Sequence, residues 1–257
     1  MTKQRYFIEL AYDGTNYHGW QIQQNAVSVQ EILNKSLATI LRQPIETTGC
    51  GRTDTGVHSK EFFAHFDVAT ETDMPWSTEK AAGIVRGINA ILPKDIGIKN
   101  IFAVAAEAHA RFDATLRSYE YHIHFSKDPF KNGYSWELRD YPDIKLMNKA
   151  AAIITEYTDF SCFSKSNTQV KTNNCKIAKA EWVVKDDGIV FHISADRFLR
   201  NMVRAIVGTL ILVGKKEIEP EAVRAIIESK NRSNAGMSVP ACGLYLTAVK
   251  YPFVTER

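Results

Sequence analysis

Residues 117–125, RSYEYHIHF, alternate strictly along the chain. Tyr119, Tyr121, Ile123 and Phe125 fall on one side of an extended backbone, and Ser118, Glu120, His122 and His124 on the other, because strand side chains point to opposite faces in turn. This pattern is that of a half-buried strand, so the fold contains a sheet with one face covered. The cover has to come from stretches of helical period. SVQEILNKSLATILRQP (28–44) has that period: Val29, Ile32, Leu33, Leu37, Ile40 and Leu41 form one apolar stripe. Ser28 and Glu31 read as a capping box, and Pro44 stops the helix. STEKAAGIVRGINAIL (77–92) reads as a second helix, capped by Ser77 and ended by Pro93. Residues 143–156, RFLRNMVRAIVGTLILVG (197–214) and the shorter 220–229 read as three more.

Strand patterns are interspersed with these helices. RYFIELAYDG (5–14) runs into a turn at Asp13-Gly14, and EFFAHFDV (61–68) is a second strand. KIAKAEWVVKDDGIVFHISA (176–195) reads as a hairpin about Asp186-Asp187-Gly188, and GLYLTAVKY (243–251) as the last strand. Hairpin-linked strands among helices favour an α+β fold with a mixed, mainly antiparallel sheet over a doubly wound parallel one. The second part of the chain repeats the order of the first, which predicts two similar halves, 1–105 and 106–257, with a cleft between them. A chain of 257 residues is long enough for two such cores. The polar, basic and aperiodic segment 164–174 is expected to be a mobile loop.

Composition narrows the class of protein. Hydrophobic content of 45% and charged content of 24% are those of a soluble globular chain. No run of 18 apolar residues is present and the first residues lack the pattern of a signal peptide, so a cytoplasmic protein with no membrane partner is expected. Cys50, Cys162, Cys175 and Cys242 include no C-x-x-C pair, so they read as reduced thiols. The net charge of +3 permits a nucleic-acid partner without arguing for one.

GCGRTDTGVHS (49–59) is different in kind, since it offers little to bury. It falls between the helix at 28–42 and the strand at 61–68, so it is a loop, with Gly49, Gly51 and Gly56 free to take unusual backbone conformations or admit a ligand. Asp54 is placed either as nucleophile, general base or metal ligand, or as a turn residue bonding its own backbone. No second carboxylate lies nearby to complete a metal site. The pairs His58/His65 and His122/His124 likewise lack a third ligand, and read as solvated or hydrogen-bonded histidines. Arg197, Arg200 and Arg204, three and four apart, share a face if 197–214 is helical throughout. Cations in the first turns oppose the helix dipole, so a carboxylate such as Asp54 or a set of phosphates is expected opposite them, unless the face is simply solvated. Tyr119 and Tyr121 are core residues or, at a cleft, stacking platforms for a base.

Taken together, YDGTNYHGWQIQ (12–23), SVQEIL (28–33), GCGRTDTGVHS (49–59), AHARFDATLRSYEYHI (108–123), TDFSCF (158–163), FLRNMVRAIVG (198–208) and PACGLYL (240–246) come in the order found in the tRNA pseudouridine synthase A family, which the chain resembles from about Arg5 to Tyr251. The resemblance implies an isomerase that converts uridine to pseudouridine at positions 38 to 40 in the anticodon stem-loop of tRNAs. It implies no metal or organic cofactor, and a homodimer whose two subunits both contact tRNA. It implies two ferredoxin-like (RRM-like) halves flanked by helices, with the active site in the cleft. Carried over by residue, Asp54 matches the catalytic aspartate and Tyr119 the tyrosine that stacks on the target base. Arg204 matches the arginine that pairs with the catalytic carboxylate, and Arg52 the motif arginine near the RNA backbone. Residues 108–112, with His109, Arg111 and Phe112, match an RNA-contacting stretch, and 167–171 (NTQVK) align with another. The chain departs from the family pattern at Thr55 and Ser59, where alanine is common, and at Ala108, where phenylalanine is. An RNA-binding module that has lost activity is the competing class, and the intact GRTD, RSYEY and NMVR stand against it.

Overall fold

The computed structural model describes residues 2–70, 74–164, 172–185 and 188–254. The chain divides into two compact units, Met1–Thr115 with Leu246–Arg257, and Leu116–Tyr245. Their strands are paired mainly antiparallel.

In the first unit the elements run β1 (Thr2–Tyr12), α1 (Val29–Leu41), β2 (Thr48–Gly49), β3 (His58–Thr70), α2 (Thr78–Ile91) and β4 (Ile96–Ala103). β1 lies between β4 and β3, antiparallel to both, and β2 pairs antiparallel with β3. Alternation along β1 puts Tyr6, Ile8 and Leu10 in the core. The apolar stripe of α1 buries Val29, Leu33 and Leu37. Ser28 Oγ accepts the Glu31 N–H at 3.3 Å, as a cap should. The Glu31 carboxylate turns instead to Lys35 Nζ, 2.5 Å away and one turn on, so the reciprocal half of the predicted capping box is not made. Ser77 caps α2 through the Lys80 N–H. β4 escaped the sequence reading, and its register explains why. Glu9 faces Asn100 while Leu10 faces Ile98, so Lys99 is an extra residue that breaks the alternation between Ile98 and Ile101.

The second unit contains β5 (Leu116–His124), β6 (Trp136–Glu137), α3 (Ile144–Ile154), β7 (Ile177–Lys185), β8 (Gly188–Ala195), α4 (Met202–Gly214) and α5 (Ala222–Glu228). β8 lies between β5 and β7, antiparallel to both, and the short β6 runs parallel to β5. The strict alternation of β5 places Tyr121 and Ile123 in the core. β7 and β8 form the predicted hairpin, although Asp186-Asp187 at its turn lie outside the described residues, as do 165–171 of the predicted mobile loop, NTQVK included. The final strand β9 (Leu244–Lys250) begins in the second unit and continues into the first, where it lies beside β3.

One sequence expectation is overturned. The helix read over 197–214 begins at Met202, so Arg197 and Arg200 precede it and do not share a helical face with Arg204. Asn201 has a left-handed backbone, φ 65°, which a right-handed helix cannot include. Upstream, the chain is pinned to strands: the Asp196 carboxylate accepts the Lys176 and Arg197 N–H groups at 2.8 and 2.7 Å, and the Asp196 carbonyl accepts Arg117 Nη1 at 2.7 Å. All four cysteines are free thiols. Among the described residues no helix is long and apolar enough to cross a membrane.

Candidate active site

The loop 50–57, between β2 and β3, is clamped by Tyr12 at the end of β1 and by the residues to 20 that follow it, so the segment 49–59 read as loop is strand at both its ends. The Thr53 carbonyl accepts the Trp20 N–H at 3.3 Å, and the Thr53 hydroxyl lies 2.9 Å from Tyr12 Oη. The Tyr17 carbonyl accepts the Gly56 N–H at 3.2 Å, and the Asp54 carbonyl closes a turn by accepting the Val57 N–H at 3.2 Å. His58 Nδ1 lies 3.1 Å from the Gly14 N–H and 3.0 Å from Asp13 Oδ1. The clamp is itself anchored. Asp95 accepts the Asp13 N–H through its carbonyl at 2.9 Å and Tyr17 Oη through its carboxylate at 2.5 Å. Burial, followed by the bond to the Asp95 carboxylate, pushes the Tyr17 phenol well above its usual range, so it remains the donor. The two backbones approach so closely that Gly19, at φ 83°, would put a Cβ 2.3 Å from the Thr53 oxygen. Gly56 is also left-handed, at φ 76°, whereas Gly51 faces open space.

The loop therefore fixes the backbone on both sides of Asp54, which is half-buried, while Arg52 is exposed. This is the arrangement expected of a loop that presents a side chain from a rigid frame. None of the clamp's bonds was legible from local pattern, since Tyr12, Asp13 and Asp95 are ordinary strand-end and turn residues in the sequence. The Asp13-Gly14 pair was the sole hint, and it pointed only to a turn.

Residues 105–113 of the same unit form a second rigid feature. Arg5 donates to Asp67 through Nε and Nη2 at 2.7 and 2.9 Å, and its Nη1 reaches the Ala108 carbonyl at 3.1 Å. His65 Nδ1 accepts the Ala110 N–H at 3.1 Å, and Tyr251 Oη donates to the Ala110 carbonyl at 2.5 Å. His109 Nδ1 accepts the N–H groups of Arg111 and Phe112 at 3.1 and 3.3 Å, and the backbone N–H of His109 donates to Asp113 Oδ2 at 2.7 Å. These bonds use both imidazoles as acceptors, so both rings are neutral. Burial, with the charge of Arg5 beside it, pushes His65 down to about 4, and burial lowers His109 as well. The His109 ring stands 4.3 Å from that of Phe112, and the Arg111 guanidinium 5.8 Å from the same ring. Phe112 is nonetheless 74% exposed. A rigid turn thus displays one aromatic face and one cation, the pair of groups that stacks a base and meets a phosphate. The predicted residues His109, Arg111 and Phe112 are brought together here.

In the second unit the two tyrosines of β5 separate. Tyr121 is fully buried, and its hydroxyl donates to the Pro240 carbonyl at 2.8 Å. Tyr119 is half-buried, its ring edge-on to Phe198 with centroids 5.1 Å apart. Only Tyr119 has the accessibility of a stacking platform. Arg204 occupies the third position of α4, where its charge opposes the helix dipole. Its Nε donates to the Val239 carbonyl at 2.7 Å, and the Val239 N–H donates back to the Arg204 carbonyl at 3.3 Å. Val239 is a contact the sequence reading missed, in a stretch with no periodic signal. His122 Nε2 is 3.0 Å from the Glu120 carboxylate, and His192 faces Glu120 across the strands, whereas His124, expected to be solvated or hydrogen-bonded, is buried and its Nδ1 has no hydrogen-bond partner among the described residues.

Residues 157–252 match the model of a protein family described as tRNA pseudouridine synthase. The chain is 51% identical over 253 residues to the tRNA pseudouridine synthase A of Bacteroides fragilis, covering 98% of each chain. It is 49% identical to the protein of that name from Bacteroides thetaiotaomicron, over 97% of this chain and 91% of the relative. Against the one from Clostridium acetobutylicum, identity is 39% over 95% of this chain and 98% of the relative. Identity of this degree from end to end shows that the chain belongs to the tRNA pseudouridine synthase A family.

Proposed function

We propose that this protein isomerises uridine to pseudouridine at positions 38, 39 and 40 in the anticodon stem-loop of tRNAs, with Asp54 as the catalytic carboxylate. The observation that carries this reading is the end-to-end identity of 51% to a tRNA pseudouridine synthase A. The clamped loop that presents Asp54 supports it. So does the element order of the first unit, strand–helix–strand–strand–helix–strand with β1 and β3 central, which is that of a ferredoxin-like half. With the short β6 and α5 set aside, β5 to β9 follow the same order, although most of β9 belongs to the first compact unit, which ends its first stretch at Thr115.

Pseudouridine forms when the N1–C1′ bond breaks, the uracil turns and C5 bonds to C1′, C5 then giving up its proton while N1 takes one. A uridine within a stem must first leave the stack, which costs a few kcal/mol. Stacking on Tyr119 recovers roughly 1–3 kcal/mol of that. Asp54 acts on the ribose, as nucleophile or as base toward a sugar proton, and either role uses an ionised carboxylate. Arg204 pairs with it and aims it; a guanidinium beside a carboxylate favours the charged form. Arg52, exposed beside it, meets the RNA backbone and helps to move the target base. His109, Arg111 and Phe112 hold RNA away from the reacting atoms, through stacking and charge. The chemistry uses no metal or organic cofactor, and the enzyme works in the cytoplasm as a homodimer on tRNA.

The test is incubation of the purified protein with an unmodified tRNA transcript, without added metal, followed by chemical mapping of pseudouridine, with Asp54→Asn in parallel. Modification at positions 38–40 by the wild type alone is expected. Binding of the transcript with no modification by the wild type would refute the assignment and leave an RNA-binding module.

A further inference from the structure

Arg204 is held by a segment that has been given no part in the proposed chemistry. The segment 235–239 lies along α4 and is fastened to it at intervals. The Gly236 N–H donates to Thr209 Oγ1 at 2.9 Å, and Thr209 Oγ1 in turn donates to the Ala205 carbonyl at 2.9 Å. The fit at this crossing is backbone on backbone: a Cβ at Gly208 would stand 1.8 Å from the Met237 oxygen. Three residues further, Val239 takes both the side chain and the carbonyl of Arg204. Between these two fastenings lies Ser238, whose hydroxyl oxygen receives two donors. Asn201 Nδ2, just ahead of α4, reaches it by a short hydrogen bond. Arg232 Nη2 reaches it at 3.0 Å from the 3-10 turn Arg232–Asn234, while Arg232 Nη1 holds the Gly236 carbonyl at 3.0 Å. A hydroxyl can accept two such bonds through its two lone pairs.

From this geometry we infer that Ser238 and Arg232 are positioning residues for Arg204: they tie the segment 236–239 on both flanks, and so set the place of the Val239 carbonyl on which the guanidinium of Arg204 is hung. The inference rests on the reading of Arg204 as the partner of the catalytic carboxylate. The logic is that of a supporting shell. Arg204 is a long side chain with many rotamers, and one bond at Nε to a fixed carbonyl selects among them while directing the outer edge of the guanidinium elsewhere. The carbonyl is useful only if it does not move. Val239 belongs to no helix or strand, so its rigidity has to come from the side-chain bonds at Ser238 and the close crossing at Gly208 and Gly236. A catalytic group displaced by about 1 Å loses on the order of 100-fold in rate, so release of this tether is expected to appear in the chemical step.

The experiment compares Ser238→Ala, Arg232→Lys, Arg204→Ala and the double variant Ser238→Ala/Arg204→Ala in the full chain. It measures single-turnover pseudouridine formation, dissociation constants for tRNA, and melting temperature. Ser238→Ala removes one oxygen and leaves the backbone as it is. Its single-turnover rate is expected to fall roughly 10- to 100-fold, with tRNA affinity within about two-fold and folding retained. Arg232→Lys, which keeps the charge and loses the forked geometry, is expected to fall in the same direction. In the double variant Ser238→Ala is expected to add nothing to the loss from Arg204→Ala, because the tether acts through that side chain. A wild-type rate in both Ser238→Ala and Arg232→Lys overturns the inference, as does a loss from Ser238→Ala that persists undiminished on the Arg204→Ala background. A slow Ser238→Ala beside a fully active Arg204→Ala overturns the route through Arg204 while leaving the pseudouridine synthase reading in place. A wild-type chain that makes no pseudouridine defeats that reading itself.

Discussion

Alanine at position 19 asks for two things that the fold refuses. Gly19 has φ 83°, and its missing Cβ would stand 2.3 Å from the Thr53 carbonyl oxygen, well inside van der Waals contact. A left-handed backbone costs an L-residue roughly 1–2 kcal/mol, and overfilling a packed site costs about 1–3 kcal/mol, so Gly19→Ala should lose roughly 2–5 kcal/mol of stability. The obstacle decides where the strain goes. It is a backbone oxygen already bonded to the Trp20 N–H, and it belongs to the residue before Asp54. It cannot swing aside as a flexible side chain would, so relief has to come from displacing the loop. The rate of pseudouridine formation should therefore fall along with stability, by on the order of 100-fold for a shift of about 1 Å. Urea unfolding followed through tryptophan fluorescence, Trp20 being buried, gives the stability, and single-turnover assays on a tRNA transcript give the rate. Gly97→Ala serves as the control, since Gly97 is in β4 of the same unit, meets nothing within 4 Å and has an ordinary φ. It should be neutral or stabilising by a few tenths of a kcal/mol to about 1 kcal/mol. Equal stability and rate for the two alanine variants would refute the clamp.

Arg204→Lys keeps the charge but has no Nε–H to give Val239 and no fork for a carboxylate, so activity should drop by roughly 100-fold with tRNA affinity nearly unchanged; wild-type turnover would remove Arg204 from the site. Tyr119→Ala should weaken the productive complex by roughly 1–3 kcal/mol, the value of one stacked base, whereas Tyr119→Phe should bind as the wild type does; equal behaviour of the two would end the stacking role. Acid should loosen the turn at 105–113. His65 titrates near 4 in the folded chain, below the ordinary 6.5, so the unfolded chain binds the extra proton first as pH falls. The contribution is complete above pH 6.5 and lost as pH falls to about 4, on the order of 3 kcal/mol in all. Denaturation of the wild type and His65→Gln between pH 7 and 4.5 tests this, and an identical pH slope in the two would exclude His65 as the source.

What could be read from the sequence was what repeats. The alternation of residues 117–125 gave β5, and the stripe from Val29 to Leu41 gave α1, because burial imposes its period on the side chains. Where the period breaks, reading failed. The extra residue at Lys99 hid β4, and the left-handed Asn201 ended the apparent helical period of 197–214 before Met202. Both irregularities are backbone events carried by residues with ordinary side chains, and no count of apolar positions registers them.

The site divides in the same way. The side chains proposed to do chemistry stand in unusual company: Asp54 and Arg52 draw attention because glycine and threonine surround them where a core residue would be expected. The groups that hold them are invisible for the opposite reason. Thr53 is fixed by Tyr12 and Trp20 from positions 41 and 33 residues away, and Arg204 by the carbonyl of Val239. A carbonyl is present in every residue, so a support built from backbone atoms leaves no mark on side-chain identity. It leaves its mark on the glycines instead. Gly19 marks where one backbone crosses the support of Asp54, and Gly208 marks where another crosses the support of Arg204. In this chain the two proposed partners of the ion pair are each held by a close backbone crossing that a methyl group would break.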